Sequence, residues 1–354
     1  MPRPLLLDPD ELRRWATAHV RAHPKDFTQS LSARFGVTRA AAAPAVRRLE
    51  AEGFIVRSGG RTRPVFRPGP SRCIERRYSL PGLDESLAWE QDFAPLLDLA
   101  ANLRNVVHYG FTEMLNNAND HSGGTQVTVR CEVAGSFLYL KVVDDGIGVF
   151  ERVGEALELS DRRLALLELS KGRVTTDPAR HSGEGIFFTS RAFSVFRLEA
   201  NGLVYERDNP ERGQREAERP VELPGEDPGG RADRRGTAVR MAIRLDSALE
   251  LRSLLEHYTT GAPDDLTFDR TVIPVRLARL GNENLLSRSQ AKRLISRIDR
   301  FKVVELDFAG VPEIGQAFAD ELFRVFAQQH PAIELRAINA GAGVMPMIRR
   351  ARAR

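Results

Sequence analysis

Glu113 and Asn117 are the residues of this chain whose types and spacing most directly suggest chemistry. They stand four positions apart, so on a helix they share one face. The periodic positions around them are apolar and indicate a stripe that faces a core: Leu103, Val106, Val107, Met114 and Ala118. A carboxylate and an amide beside such a stripe are costly unless they meet partners, such as a Mg²⁺ ion, a water molecule or a phosphate. The alternative is a plain polar pair on a surface helix.

Two glycine-rich segments downstream suit close contact with a ligand. Asp144 ends a strand with alternating apolar residues, and a carboxylate at this point can accept a hydrogen bond from an exocyclic amine. Gly146 and Gly148 allow positive φ and let the backbone approach a flat base. Gly183 and Gly185 precede an apolar segment that is expected to be helical. Backbone N–H groups at the start of a helix bind phosphates.

The elements that must position these residues are a long amphipathic helix over 96–120, two strands, and a later helix and strands. Between them, residues 149–171 have helical spacing that ends at Gly172. Residues 208–236 are polar, charged and rich in Gly and Pro, which predicts a long hairpin loop between two strands.

The composition describes an ordinary soluble protein of 354 residues, with 28% charged and 42% hydrophobic residues, long enough for two or three domains. Neither a membrane span nor a signal peptide is expected from its apolar segments. Cys73 and Cys131 lack the spacing of metal ligands. Two lone thiols fit a reducing cytosol better than a disulfide, so we expect a cytoplasmic protein.

Residues 1–80 concentrate positive charge, with 16 Lys and Arg against 7 Asp and Glu. Two helices around a Gly-containing turn are followed by two short strands around Gly59 and Gly60. This pattern, carried by RRLEAEGFIVRSGGRTRPVF, resembles winged helix-turn-helix domains, which bind DNA or dock proteins. Pro44 should end, kink or delay the second helix. The arginines that would meet DNA are Arg39, Arg47 and Arg48 on the helix, and Arg57, Arg61 and Arg63 on the wing.

Four segments of the central part occur in an order that resembles the GHKL ATPases, the family of DNA gyrase, histidine kinases, mismatch-repair ATPases and anti-sigma-factor kinases. They read GFTEMLNNANDHSGG, VVDDGIGVF, HSGEGIFFTS and GTAVRMAI. Short glycine motifs recur by chance, but four in order over about 130 residues are specific. The resemblance implies a sandwich of helices on a sheet that binds ATP and Mg²⁺.

The resemblance also implies roles for individual residues. Asp144, rather than Asp145, would bind adenine beside Gly146 and Gly148. Asn117 would hold Mg²⁺, and Glu113 would orient or deprotonate the attacking water. Gly183 and Gly185 would bind phosphate, and Thr237 belongs to the closing Gly-Thr motif. In the lid over 149–182, four cations could neutralise phosphate oxygens or lie in solvent: Lys171, Arg173, Arg180 and His181.

Residues 265–354 alternate strands and helices, which predicts a small α/β domain. The segment LDFAGVPEIGQAFADELF resembles STAS-like domains, the fold of anti-sigma-factor antagonists. Antagonists are phosphorylated on a hydroxyl in the turn before the helix, where this chain has Ala317. Ser287 and Ser289 lie near a helix start and are expected to cap it.

We therefore expect an α/β fold of the α+β multi-domain type: a winged helix (1–80), a GHKL domain (84–250) and a STAS-like domain (265–354). The leading hypothesis is a Mg²⁺-dependent switch that binds and slowly hydrolyses ATP, and couples nucleotide state to DNA binding or partner docking. One alternative is a Ser/Thr kinase that acts on a separate STAS protein. Another is a transcription regulator that senses nucleotide without hydrolysis. Related ATPases often dimerise, so a homodimer is also considered.

Overall fold

The computed structural model describes residues 7–60, 62–174, 182–209, 235–261, 266–281 and 283–353. Within them the chain is a mixed α/β protein with three β-sheets. Each sheet contributes to a separate cluster of buried apolar side chains. The multi-domain α+β class predicted from the sequence is therefore confirmed.

The N-terminal part consists of three helices and a hairpin: α1 (Pro9–His19), α2 (Phe27–Phe35), α3 (Arg39–Ala51), β1 (Ile55–Gly60) and β2 (Arg63–Pro68). Thr38 caps α3 by accepting a hydrogen bond of 3.2 Å from the Ala41 N–H. Gly36 ends α2 with φ 64°. Pro44 neither ends α3 nor delays its start, because α3 begins at Arg39 and continues through Pro44, which lies exposed in its second turn.

The central part is a six-stranded antiparallel sheet with several helices. The strands have the order β3-β4-β5-β8-β6-β7: β3 (Arg72–Ser79), β4 (Gln126–Ala134), β5 (Phe137–Asp144), β6 (Val195–Ala200), β7 (Leu203–Asp208) and β8 (Thr237–Arg244). The helices are α4 (Glu85–Ala88), α5 (Ala101–His121), α6 (Val149–Ala156), α7 (Leu164–Lys171), α8 (Gly185–Ala192) and α9 (Leu251–His257). The predicted long helix, α5, packs on β4 and β5 and contacts α8.

Two features of this sheet differ from the sequence prediction. β3 lies within the expected N-terminal module and linker, yet it pairs with β4 in the register Ile74 with Cys131. β7 pairs with β6 and not with β8, so the expected hairpin loop over 208–236 is a connection that crosses β6. The cause is the Asn201-Gly202 turn, whose positive φ angles of 52° and 72° favour a tight β6–β7 hairpin. Residues 210–234 lie outside the described part.

The C-terminal part contains a parallel sheet of order β11-β10-β9, with β9 (Arg270–Pro274), β10 (Val303–Asp307) and β11 (Glu334–Ile338). Its helices are α10 (Arg288–Ile295), α11 (Gln316–Asp320), α12 (Ala327–Gln329) and α13 (Met345–Arg352), and a π-helical turn joins α11 to α12. Ser287 caps α10 in a capping box with Gln290, as predicted for a serine at a helix start. No helix among the described residues is both long and apolar enough to cross a bilayer.

Candidate functional site

One cavity of about 270 Å³ brings together most of the predicted ligand-binding residues. Six of them line it: Glu113, Asn117, Asp144, Gly183, Gly185 and Thr237. Apolar side chains of α5, β5, β6 and β8 form much of the rest, including Met114, Val142, Leu198 and Val239. Its volume is close to the lower end of the range for small-molecule sites, about 300–1,000 Å³.

Asp144 and Asp145 are adjacent in sequence but have different roles. Asp144 is buried at the end of β5, and its Oδ1 accepts hydrogen bonds from the N–H groups of Gly146 (2.9 Å) and Thr237 (3.1 Å). Burial raises the pKa of Asp144, and these hydrogen bonds oppose the rise. Asp145 instead accepts hydrogen bonds from the N–H groups of Thr125 (2.7 Å) and Gln126 (2.9 Å). Only Asp144 therefore faces the cavity.

Gly146 and Gly148 shape the turn after β5, although neither belongs to the cavity lining. A Cβ on Gly146 would overlap the carbonyl oxygen of Ser122. Gly148 has φ 91°, and a Cβ there would overlap the amide of Asn201. These glycines let the turn pack tightly beside the cavity.

Thr237, the first residue of β8, is hydrogen-bonded to the start of α6. Its hydroxyl oxygen accepts a hydrogen bond of 3.0 Å from the Val149 N–H, while its own N–H binds Asp144. Thr237 therefore holds both the Asp144 carboxylate and the first residue of α6 in place. The preceding Gly236, with φ 87°, makes this approach possible, because a Cβ there would overlap the Asp144 backbone.

Glu113 and Asn117 face the cavity from successive turns of α5, as their spacing predicted. The Glu113 carboxylate lies directly against Gly185, at the start of α8, so that any Cβ on this glycine would overlap it. Burial and the nearby charge of Glu184 raise the pKa of Glu113 to about 7. The side-chain amide nitrogen of Asn117 is buried and has no hydrogen-bond partner among the described residues.

Glu184 is a cavity residue that the sequence reasoning missed. It lies between Gly183 and Gly185, and its carboxylate is 3.6 Å from the Arg173 Nε. Burial raises the pKa of Glu184, whereas the positive charge of Arg173 opposes the rise. An acidic residue inside a glycine-rich phosphate motif was the available signal, because it would place a negative charge where anions are expected.

The predicted lid cations do not form one group. Lys171 is buried, and its ammonium binds Glu168 (2.8 Å) and the Ser296 carbonyl (2.9 Å). It is therefore committed to the contact with the C-terminal part, and we correct its expected role toward phosphate. Arg173 does not belong to the cavity lining. Arg180 and His181 lie outside the described residues.

The arginines predicted to meet DNA lie on the surface of α3 and of the β1–β2 hairpin. The described ones are all exposed: Arg39, Arg47, Arg48, Arg57 and Arg63. Arg39 donates a hydrogen bond of 2.6 Å to Gln29, and Arg48 pairs with Glu52 at 2.7 Å. Arg61 lies outside the described part.

The comparison with known protein families gives a match. Residues 290–345 match the model of a family described as a STAS-like domain of unknown function (DUF4325). The match runs from α10 to the first residue of α13, so the C-terminal part is STAS-like, as the sequence predicted. No curated protein matches the chain. Among the described residues, no group of three or more His, Cys, Asp or Glu is placed to hold a metal ion.

Proposed function

We propose that this chain is a Mg²⁺-dependent switch of the GHKL type that binds ATP and hydrolyses it slowly. The observation that carries the proposal is the meeting of Asp144, Glu113, Asn117 and Gly183–Gly185 in one cavity, although they are up to 72 positions apart in the chain. A buried carboxylate, a carboxylate with a raised pKa and an unpartnered amide are each costly when left alone. A purine, an attacking water molecule and a hydrated metal ion would satisfy them in turn.

Asp144 supports adenine as the base. Its Oδ1 is held by two backbone N–H groups, so the carboxylate is oriented before any ligand arrives. The neighbouring wall is apolar (Val142, Leu198 and Val239), which suits a flat aromatic ring. The exocyclic amine of adenine would donate to this carboxylate, whereas the carbonyl of guanine at the same ring position could not.

A second group of cavity residues supports phosphate chemistry. Gly183 and Gly185 line the cavity where the chain enters α8, and the first N–H groups of a helix have no partner within the helix. Asn117 would hold Mg²⁺ through its amide oxygen, and the ion when bound supplies charge neutralisation of the phosphate oxygens. Glu113, with a pKa of about 7, is suited to accept a proton from water at neutral pH.

Nucleotide titration of matched variants tests the proposal. Asp144→Asn keeps the size of the side chain but replaces one carboxylate oxygen by an NH2 group, and we expect ATP affinity to fall at least about tenfold. Asp145→Asn is the control, because this neighbour binds Thr125 and Gln126 outside the cavity. Absence of ATP binding by the wild type, or an equal loss in both variants, would contradict the proposal.

Hydrolysis is distinguished from phosphotransfer by following the γ-phosphate. The second candidate is a kinase of the anti-sigma type, and the STAS-like match of residues 290–345 is the observation that favours it. Ala317 lies at the second position of α11 and has no hydroxyl group, so such a kinase would act on a separate STAS protein. Labelled phosphate released to solvent and lost in Glu113→Gln supports the ATPase, whereas label on protein supports the kinase.

The output of the switch would be DNA binding through the N-terminal part or docking through the STAS-like part. Arg47 and Arg63 are exposed on α3 and on the hairpin, where phosphate contacts are expected for a winged helix. A mobility-shift assay with Arg47→Ala and Arg63→Ala, with and without ATP, tests the first output. A cytoplasmic location is part of the proposal, in keeping with the free, buried thiols of Cys73 and Cys131.

A further inference from the structure

Arg173 occupies an unusual position between the cavity and the STAS-like part. It follows Gly172 at the end of α7, and both residues have positive φ, 57° for Arg173 and 78° for Gly172. A non-glycine residue in this conformation is strained and persists where the surrounding contacts hold it. The contacts of the Arg173 side chain are therefore informative.

The STAS-like side holds the guanidinium from one direction. It lies 5.6 Å from the ring centroid of Phe268 and 5.7 Å from that of Phe301, and it donates a long hydrogen bond of 3.4 Å to the Arg300 carbonyl. Both rings are buried and belong to the C-terminal cluster. Arginine stacks favourably on aromatic rings, and the stacking restricts where its charge can go.

The cavity side holds the same residue from the other direction. The Arg173 Nε is 3.6 Å from the Glu184 carboxylate and has no hydrogen-bond partner among the described residues. The neighbouring Val174 N–H donates to the Gly183 carbonyl at 3.2 Å, and Gly183 has no room for a Cβ beside Val174. The segment 173–174 and the glycine segment 183–184 are thus packed backbone against backbone.

Glu184 brings a negative charge into the part of the cavity where Glu113 already stands. Two carboxylates facing one cavity repel each other and would repel a polyphosphate. Among the described residues, the cation paired with Glu184 is Arg173. Ser182 also hydrogen-bonds this carboxylate but carries no charge. Neutralisation by a cation among the described residues therefore depends on an arginine that the STAS-like part keeps in position.

We propose that Arg173 is a positioning residue through which the docked STAS-like domain neutralises Glu184 and makes the cavity able to accept a polyphosphate. This inference rests on the proposed ATP site and adds its regulation. A partner that moves Phe268 and Phe301 away from Arg173 would leave Glu184 uncompensated and weaken nucleotide binding. By linkage, bound nucleotide would favour the docked position of the STAS-like domain by the same factor.

Titration of the full-length chain with a fluorescent ATP analogue and Mg²⁺ at about pH 8 tests this inference. Arg173→Met is expected to weaken binding about tenfold, the size of effect of one unscreened charge near bound phosphates. Glu184→Gln removes a carboxylate that faces the phosphates while Arg173 keeps its charge, so it should bind more tightly than Arg173→Met and at least as tightly as the wild type. The double variant should return to the Glu184→Gln value. Arg252→Met is the matched control, because it removes an exposed arginine from an ion pair with Glu256 on α9.

A second pair of variants tests the part played by the STAS-like domain. Phe301→Leu keeps the charge of Arg173 but removes one of the two aromatic rings that contact it. It should therefore weaken nucleotide binding less than Arg173→Met, and Glu184→Gln should rescue it as well. It serves as the principal test if Arg173→Met does not fold, as judged by its thermal unfolding curve.

The outcomes separate this inference from the proposed function. Binding that is unchanged in Arg173→Met, or weakened without rescue by Glu184→Gln, would overturn the inference and leave the ATP site standing. A wild type that binds neither the ATP analogue nor tripolyphosphate would overturn both. Rescue in the double variants, with Arg252→Met like the wild type, would support it.

Discussion

The raised pKa of Glu113 predicts a specific dependence of stability on pH. The native carboxyl group releases its proton near pH 7, whereas the ordinary value of 4.5 applies in the unfolded chain. Between these values the native state binds more protons, so its stability falls as the pH rises through this window. A pKa displaced from 4.5 to about 7 lowers the free energy of unfolding by about 3 kcal/mol above pH 7, relative to its value below pH 4.5. Because water reaches the carboxylate from the cavity, we expect about 1–2 kcal/mol in practice.

Glu113→Gln removes this titration. Between about pH 5 and about pH 8, its free energy of unfolding relative to that of the wild type should therefore rise by about 1–2 kcal/mol. Urea unfolding without nucleotide measures it, followed by the emission of Trp89, which packs on Phe111 of α5 at 5.3 Å. A Trp15→Phe background leaves Trp89 as the sole tryptophan. Exposed Glu155→Gln is the control. A stability difference between Glu113→Gln and the wild type that is the same at both pH values would refute the reasoning.

Three further substitutions test other parts of the structure. Gly185→Ala pushes a methyl group into the Glu113 carboxylate, so phosphate release should fall at least about tenfold and urea unfolding should show a loss of about 1–3 kcal/mol. Lys171→Met removes the near cation of the buried Glu168 carboxylate and leaves only Arg297, at 4.0 Å, among its described cations. The loss should be about 3 kcal/mol in urea unfolding, with partial recovery on adding Glu168→Gln; no recovery would argue against the ion pair. Pro44→Ala restores a backbone donor within α3 and should stabilise the N-terminal part by about 1 kcal/mol, seen as a higher urea midpoint; a lower midpoint would show that Pro44 helps by restricting the unfolded chain.

The residues of the candidate site could be found from sequence because their signals are local. Glu113 and Asn117 are related by the helical repeat alone, and Asp144 ends a strand with a clear alternation of apolar residues. Glycines are also local signals, because their conformation or close packing excludes side chains at Gly146 and Gly185. The choice of Asp144 over Asp145 came from a motif; in the structure Asp144 is buried and lines the cavity, whereas Asp145 accepts its hydrogen bonds outside it.

Long-range pairing accounts for most of what the sequence could not predict. β3 is separated from the rest of its sheet by the whole of α5, and half of its residues are charged (Arg72, Glu75, Arg76 and Arg77), as in a linker. Its partners explain it: Arg76 pairs with Asp92, while Glu75 pairs with Arg14 of α1. Likewise, Lys171 was expected to face either phosphate or solvent, and its contact with the Ser296 carbonyl could not be predicted because that residue lies 125 positions away.

The cavity and the STAS-like part share two helices, α7 and α8. This sharing indicates which of the two proposed outputs a bound ligand would affect most directly. On α7, Leu169 lines the cavity while Leu167 packs in the C-terminal cluster. On α8, Ile186 lines the cavity while Phe187 packs in the same cluster. The N-terminal part instead contacts the sheet at its β3 edge, where the Cys73 N–H donates to the Thr17 hydroxyl of α1 at 3.0 Å. A shift of α7 or α8 on ligand binding would therefore act on the STAS-like part directly, whereas an effect on α1 must cross the sheet as far as β4, whose Arg130 pairs with Asp10 of α1 at 2.9 Å. Of the two proposed outputs, partner docking through the STAS-like part is the one that the packing favours.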